Sequence, residues 1–109
     1  MTDQDSLTVY NEIISLNNKS NVSNTYSVIW LDEHTQENYQ ELVQKILCRL
    51  GNNSSILHNG IPGNSCYIVF AFDNFDYAMF LDRECHEDGQ VVHITKRPKG
   101  FDYLTLWIV

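Results

Sequence analysis

The chain lacks most of the groups on which small catalytic or metal-binding proteins depend. Its three cysteines, Cys48, Cys66 and Cys85, are odd in number, widely spaced and without a CxxC pair. That spacing argues against a disulfide framework and places the chain in a reducing compartment. His34, His58, His86 and His93 lack the close spacing of a zinc site. Adjacent Cys85-His86 would need two further ligands that the pattern does not supply, so no metal is expected. There is no Walker loop, GxGxxG fingerprint, GxSxG elbow or HExxH helix. Ser54, Ser55 and Ser65 have no evident His–acid partners, so neither catalysis nor a cofactor is expected. No apolar run approaches a membrane span, and Met1-Thr2-Asp3-Gln4-Asp5 is the opposite of a basic leader. Bases are also scarce: seven Lys and Arg face fourteen Asp and Glu, a net charge of -7. Binding to phosphate backbones driven by overall charge is thereby excluded. These absences predict a soluble intracellular protein, cytoplasmic or nuclear, that is not an enzyme.

What is present fits one domain. The 109 residues are 43% hydrophobic and 19% charged, an ordinary globular mix. Leu7, Tyr10, Ile13, Ile14 and Leu16 recur at helical spacing behind Asp5 and Ser6, and a polar linker follows to Thr25. Residues 1–25 therefore read as a helix and linker, and 26–109 as the main domain. Tyr26 to Leu31 is rich in β-branched and aromatic residues and predicts a strand. Tyr39, Leu42, Val43, Ile46, Leu47 and Leu50 mark a helix, capped by Thr35 and stopped by Gly51. Ser54 to His58 and Cys66 to Phe72 predict two strands joined by Asn59–Asn64 turn material. Asp73 or Asn74 caps an expected second helix through Cys85. Val91 to Thr95 and Tyr103 to Val109 predict two final strands.

From Tyr26 the expected order is β-α-β-β-α-β with one extra strand. This is an α+β, ferredoxin-like split βαβ two-layer sandwich, with an N-terminal helix added. Right-handed crossovers would place the first and third strands side by side. Alternation then points Ile29 and Leu31 at the helices and Trp30 outward. Cys66, Ile68, Phe70 and Phe72 point inward, while Ser65, Tyr67 and Val69 face out. Trp30 and Tyr67 become expected neighbours on an open sheet face.

At these residues the chain resembles the RNA recognition motif family. Ile29-Trp30-Leu31-Asp32 stands where that family carries its first-strand signature. Ser65-Cys66-Tyr67-Ile68-Val69-Phe70-Ala71-Phe72 stands where it carries its third-strand signature. Phe72 to Ala78 and Asp88 to Val92 resemble its passages into the second helix and fourth strand. The resemblance implies base stacking on the sheet face, with Trp30, Tyr67, Val69 and His93 as the binding set. Ser65 and Cys66 replace the usual basic residue and glycine, and Val69 replaces the third ring. Lys96, Arg97 and Lys99 form a basic edge that could meet a backbone or guard an edge strand.

Two functions follow as expectations. In the first, a recognition module binds single-stranded RNA or a protein partner through the open sheet face. The N-terminal helix could instead cover that face. In the second, a small acidic inhibitor (an immunity, antitoxin or phage anti-defence protein) binds through the second helix. Its docking residues would be Asp76, Asp82, Glu84, Glu87 and Asp88. An apolar strand at Leu104 to Val109 would also suit a homodimer.

Overall fold

The computed structural model describes residues 3–19, 25–32, 35, 38–61, 64–84 and 86–100. The expected final strand, Tyr103 to Val109, and its suggested homodimer lie outside them. The order is α1 (Asp3–Asn17), β1 (Thr25–Leu31), α2 (Tyr39–Leu50), a 3-10 turn (Gly51–Asn53), β2 (Ser54–Ile61), β3 (Asn64–Phe72), β4 (Phe75–Leu81) and β5 (Gln90–Pro98). Five antiparallel strands form one sheet in the order β1-β5-β4-β3-β2. The chain is thus α+β and two-layered, with α1 and α2 packed together on one sheet face. No helix among the described residues is long and apolar enough to cross a membrane.

Periodicity explains the core. Val9, Ile13 and Leu16 form the buried stripe of α1, and Leu42, Val43, Ile46 and Leu50 that of α2. Against them lie Ile29 and Leu31 of β1, Ile68, Phe70 and Phe72 of β3, Tyr77, Met79 and Leu81 of β4, and Val92 and Ile94 of β5. The inward sets expected for β1 and β3 are therefore found. Helix α2 begins one residue after Asn38, whose amide donates to the Thr35 carbonyl at 2.9 Å. Thr35 is not the cap; its own amide donates to Gln90 Oε1 at 3.0 Å. Tyr39 Oη donates to the Met79 carbonyl at 3.0 Å, pinning the start of α2 to β4.

The second helix expected from Asp73 is instead strand β4. Phe72 pairs with Phe75, so Asp73 and Asn74 are the two residues of a tight hairpin. Asp73 adopts φ 57, a left-handed conformation that Asp tolerates better than most residues. Phe75, Tyr77, Met79 and Leu81 alternate inward as a strand must. This substitution also changes the strand order. Without a crossover helix, β2 to β5 run as a meander, and β1 joins the far side of β5. The first and third strands are consequently two strands apart.

A buried lysine ties the layers together. The Lys96 ammonium donates to the carbonyls of Leu16 at 2.7 Å, Lys19 at 2.8 Å and Asn17 at 3.4 Å. It also sits 3.8 Å from the Phe75 ring centroid. Burial, followed by the like charge of Lys19, holds its pKa below the ordinary lysine value. The carbonyl end of α1, negative by the helix dipole, compensates the buried charge. Lys96→Met keeps the length and removes the donors, leaving buried helix-end carbonyls unpaired. The expected loss is about 3 kcal/mol, read as a lower urea midpoint.

Candidate protein-docking surface

Strand β1 is wet on one face only. Toward the helices, Ile29 and Leu31 enter the core, and Ser27 Oγ donates to Glu12 Oε1 of α1 at 2.7 Å. Toward the other side project Tyr26, Val28 and Trp30, which are 72%, 50% and 55% exposed. Three large apolar side chains in a row on one strand face are unusual exposure for a small domain. Sequence alternation put Trp30 on this face, and the same alternation carries Tyr26 and Val28 with it.

The β4–β5 connection folds against the end of β1. His86 and Gly89 exchange backbone hydrogen bonds at 3.0 and 3.2 Å, closing a small turn. The His86 ring meets the Trp30 ring edge-on, with centroids 5.1 Å apart and planes 63° apart. Gly89 has φ 137, and a Cβ there would collide with the Leu31 carbonyl oxygen. Only glycine lets the loop lie this close to β1. Asp82 fixes the loop's other end: Oδ1 accepts from the Glu84 amide at 3.0 Å, and His93 Nε2 donates to Oδ2 at 3.2 Å. Gln90 Nε2 donates to the Asp82 carbonyl at 3.1 Å. The Glu84 amide, then His93, hold the Asp82 carboxyl below the usual carboxylate range. With the loop so anchored, Glu84, Glu87 and Asp88 are exposed on the segment that carries His86, and Asp32 is exposed just past the end of β1.

The expected site residues are redistributed by this topology. Trp30 and Tyr67 are not neighbours, because β5 and β4 stand between their strands. Tyr67 is 1% exposed and stacks on Phe80, centroids 5.7 Å apart, while burial pushes its phenol up to about 12. Val69 is fully buried in the same small cluster. His93 is half-buried and stacks on Phe80 at 4.6 Å. Register aligns Tyr67, Phe80, His93 and Val28 in one row across four strands, buried at Tyr67, half-buried at Phe80 and His93, and exposed at Val28. Tyr67 and Val69 thus lie buried in the sheet, and the exposed apolar part of this face is its β1 margin.

The charged sets change as well. Lys96 is buried under α1, so it leaves the basic edge; Arg97 is half-buried and Lys99 exposed. The acidic set loses its helix, and Asp76 turns out buried, with Oδ2 accepting from the Gly100 amide at 3.1 Å. What survives is the loop group Asp82, Glu84, Glu87 and Asp88, on the loop whose His86 ring meets Trp30. Sequence reasoning missed Tyr26, Val28 and His86. The first two were legible from period-two alternation, whereas the His86 contact depends on the loop's path.

No group of three or more His, Cys, Asp or Glu suited to a metal ion occurs among the described residues. Comparison with protein-family models, curated proteins and solved structures finds no match to this chain.

Two outcomes test the loop's anchorage. Gly89→Ala should cost about 3 kcal/mol, through strain and collision with the β1 backbone, and lower the thermal midpoint. Asp82 contributes stability above the ordinary carboxylate pKa of 3.8, which is lost as pH falls through its lower folded value. Asp82→Asn should therefore be less stable than wild type near neutral pH. The difference should vanish in acid, as followed by urea unfolding across a pH series.

Proposed function

We propose that this chain is a protein-recognition module that docks a basic partner on the β1 margin. Trp30 is the central anchor, Tyr26 and Val28 extend the apolar strip, and Asp32, Glu84, Glu87 and Asp88 form its rim. The observation that carries the reading is the Trp30–His86 contact, which sets an exposed indole beside an anchored acidic loop. An apolar anchor inside a polar rim is the usual anatomy of a binding surface, and Trp is over-represented among dominant contacts. Acidic residues around the anchor speed the approach of a basic surface and repel phosphate. The two surfaces expected separately, an aromatic sheet face and an acidic docking face, merge into one patch. An inhibitor of a basic protein is one use of such a patch.

Capture from the native host, with nuclease treatment as a control, tests the reading. Wild type should retain a basic protein that is lost with Trp30→Ala and, separately, with Glu84→Lys/Glu87→Lys. The charge variant should act mainly on the association rate at low salt. Equal capture by all three proteins would remove this surface. Recovery of single-stranded RNA that depends on Trp30 would replace the protein partner with RNA.

A further inference from the structure

The two margins of the sheet are built differently. Strand β2 is interrupted by register breaks between Ile56 and His58 and between Asn59 and Ile61. Such irregularities keep an edge from templating another strand. Strand β1 has none of these defences. It runs in unbroken register from Thr25 opposite Lys96 to Leu31 opposite Gln90. Its seven residues, Thr-Tyr-Ser-Val-Ile-Trp-Leu, include no charge, proline or glycine. Among the described residues, no strand pairs with its outer side.

We propose that β1 is a homodimerisation strand, accepting the β1 of a second copy of this chain in antiparallel pairing. The register that fits is centred on Val28. It sets Val28 against Val28 of the other copy and Tyr26 against Trp30, and it pairs Ser27 with Ile29 and Thr25 with Leu31. Residues of like parity then face each other. Whichever alternate set of amides and carbonyls points outward, its members pair among themselves. Both aromatic pairs fall on the exposed face, where cross-strand rings stabilise a sheet.

Charge selects the second copy as occupant. The Leu31 end of β1 carries the acidic loop, and the Thr25 end lies beside the C-terminal end of β5 with Arg97 and Lys99. Lys96 is turned under α1 and takes no part, so the charges that face each other are exposed Lys99, with half-buried Arg97 beside it, and exposed Glu84, Glu87 and Asp88. Antiparallel pairing brings the acidic end of each copy to the basic end of the other, twice, as a two-fold interface requires. A parallel arrangement would set acid against acid. The pairing uses the strand edge and leaves the side chains of the outer face pointing away from the sheet. It goes beyond the proposed docking function and is tested without any partner.

Sedimentation equilibrium on the purified chain should show a reversible dimer in the micromolar range. Val28→Lys, at a half-exposed position, places like charges on the two-fold axis. It should raise the dimer dissociation constant about tenfold or more, with an unchanged circular dichroism spectrum. Lys99→Glu, on an exposed side chain, should weaken the dimer at low salt and match wild type at high salt. A wild-type chain that stays monomeric at high micromolar concentration overturns the proposal. So does a dimer indifferent to Val28→Lys. Should Val28→Lys unfold, Lys99→Glu decides: no low-salt effect overturns the charge-matched register.

Discussion

The hydrogen bonds from Lys96 to the end of α1 set the arrangement of the whole molecule. A buried ammonium is costly, and it is tolerated here because two carbonyls at the end of α1, that of Lys19 just beyond it, and an aromatic face surround it. Lys96 lies on β5, the strand joining β1 to the meander, so capping α1 there fixes the helix over that junction. Nearby, Tyr77 Oη donates to Asn17 Oδ1 at 2.7 Å and links the same helix end to β4. At the other end of α1, Asp5 Oδ1 accepts from the Asp32 amide at 3.1 Å. Held at both ends, α1 seals the inner side of β1. The outer side of β1 is left exposed.

That constraint explains which parts of the architecture were legible in the sequence. Helices α1 and α2 and strand β1 announced themselves by period, because one face of each meets the apolar core, whereas β3 and β5, buried on both faces over most of their length, showed as β-branched and apolar runs. Strand β4 was misread because Asp73 and Asn74 serve equally as helix caps and hairpin residues. The stretch Phe75 to Leu81 also satisfies both periods over seven residues. Its alternation of Phe75, Tyr77, Met79 and Leu81 was the signal that decides, since a helix would have driven Tyr77 toward solvent. One misread element was enough to exchange a split βαβ order for a meander. The outward direction of Trp30 survived that error, being local to its strand. Its neighbour did not, because adjacency across a sheet is a property of topology.

The charges show the same division between local and global information. Counting residues located the acidic excess between Asn64 and His93, but could not tell solvated acids from structural ones. Asp76 is consumed by the Gly100 amide, and Asp82 by Glu84 and His93. Glu84, Glu87 and Asp88 are left free to face solvent on a loop whose shape Gly89 makes possible. Likewise Lys96 appears in the sequence as one of three clustered bases. Nothing in its spacing reveals that it points at a helix end 80 positions earlier.

For the docking surface proposed at the β1 margin, magnitudes argue for a protein over a nucleic acid. A base stacked on Trp30 would gain about 1–3 kcal/mol. A phosphate about 8 Å from one carboxylate is repelled by about 2 kcal/mol at a surface dielectric near 20, and by less once salt screens it. Stacking and repulsion then roughly cancel, and the one lysine or arginine of the loop, Arg83, is outnumbered by Asp82, Glu84, Glu87 and Asp88. A lysine or arginine of a protein partner reverses the sign of the second term and keeps the first as a cation–π or apolar contact with the indole. On the proposed reading the same acids oppose RNA and add to the binding of a basic protein, and Gly89 lets the loop that carries them lie against the end of β1.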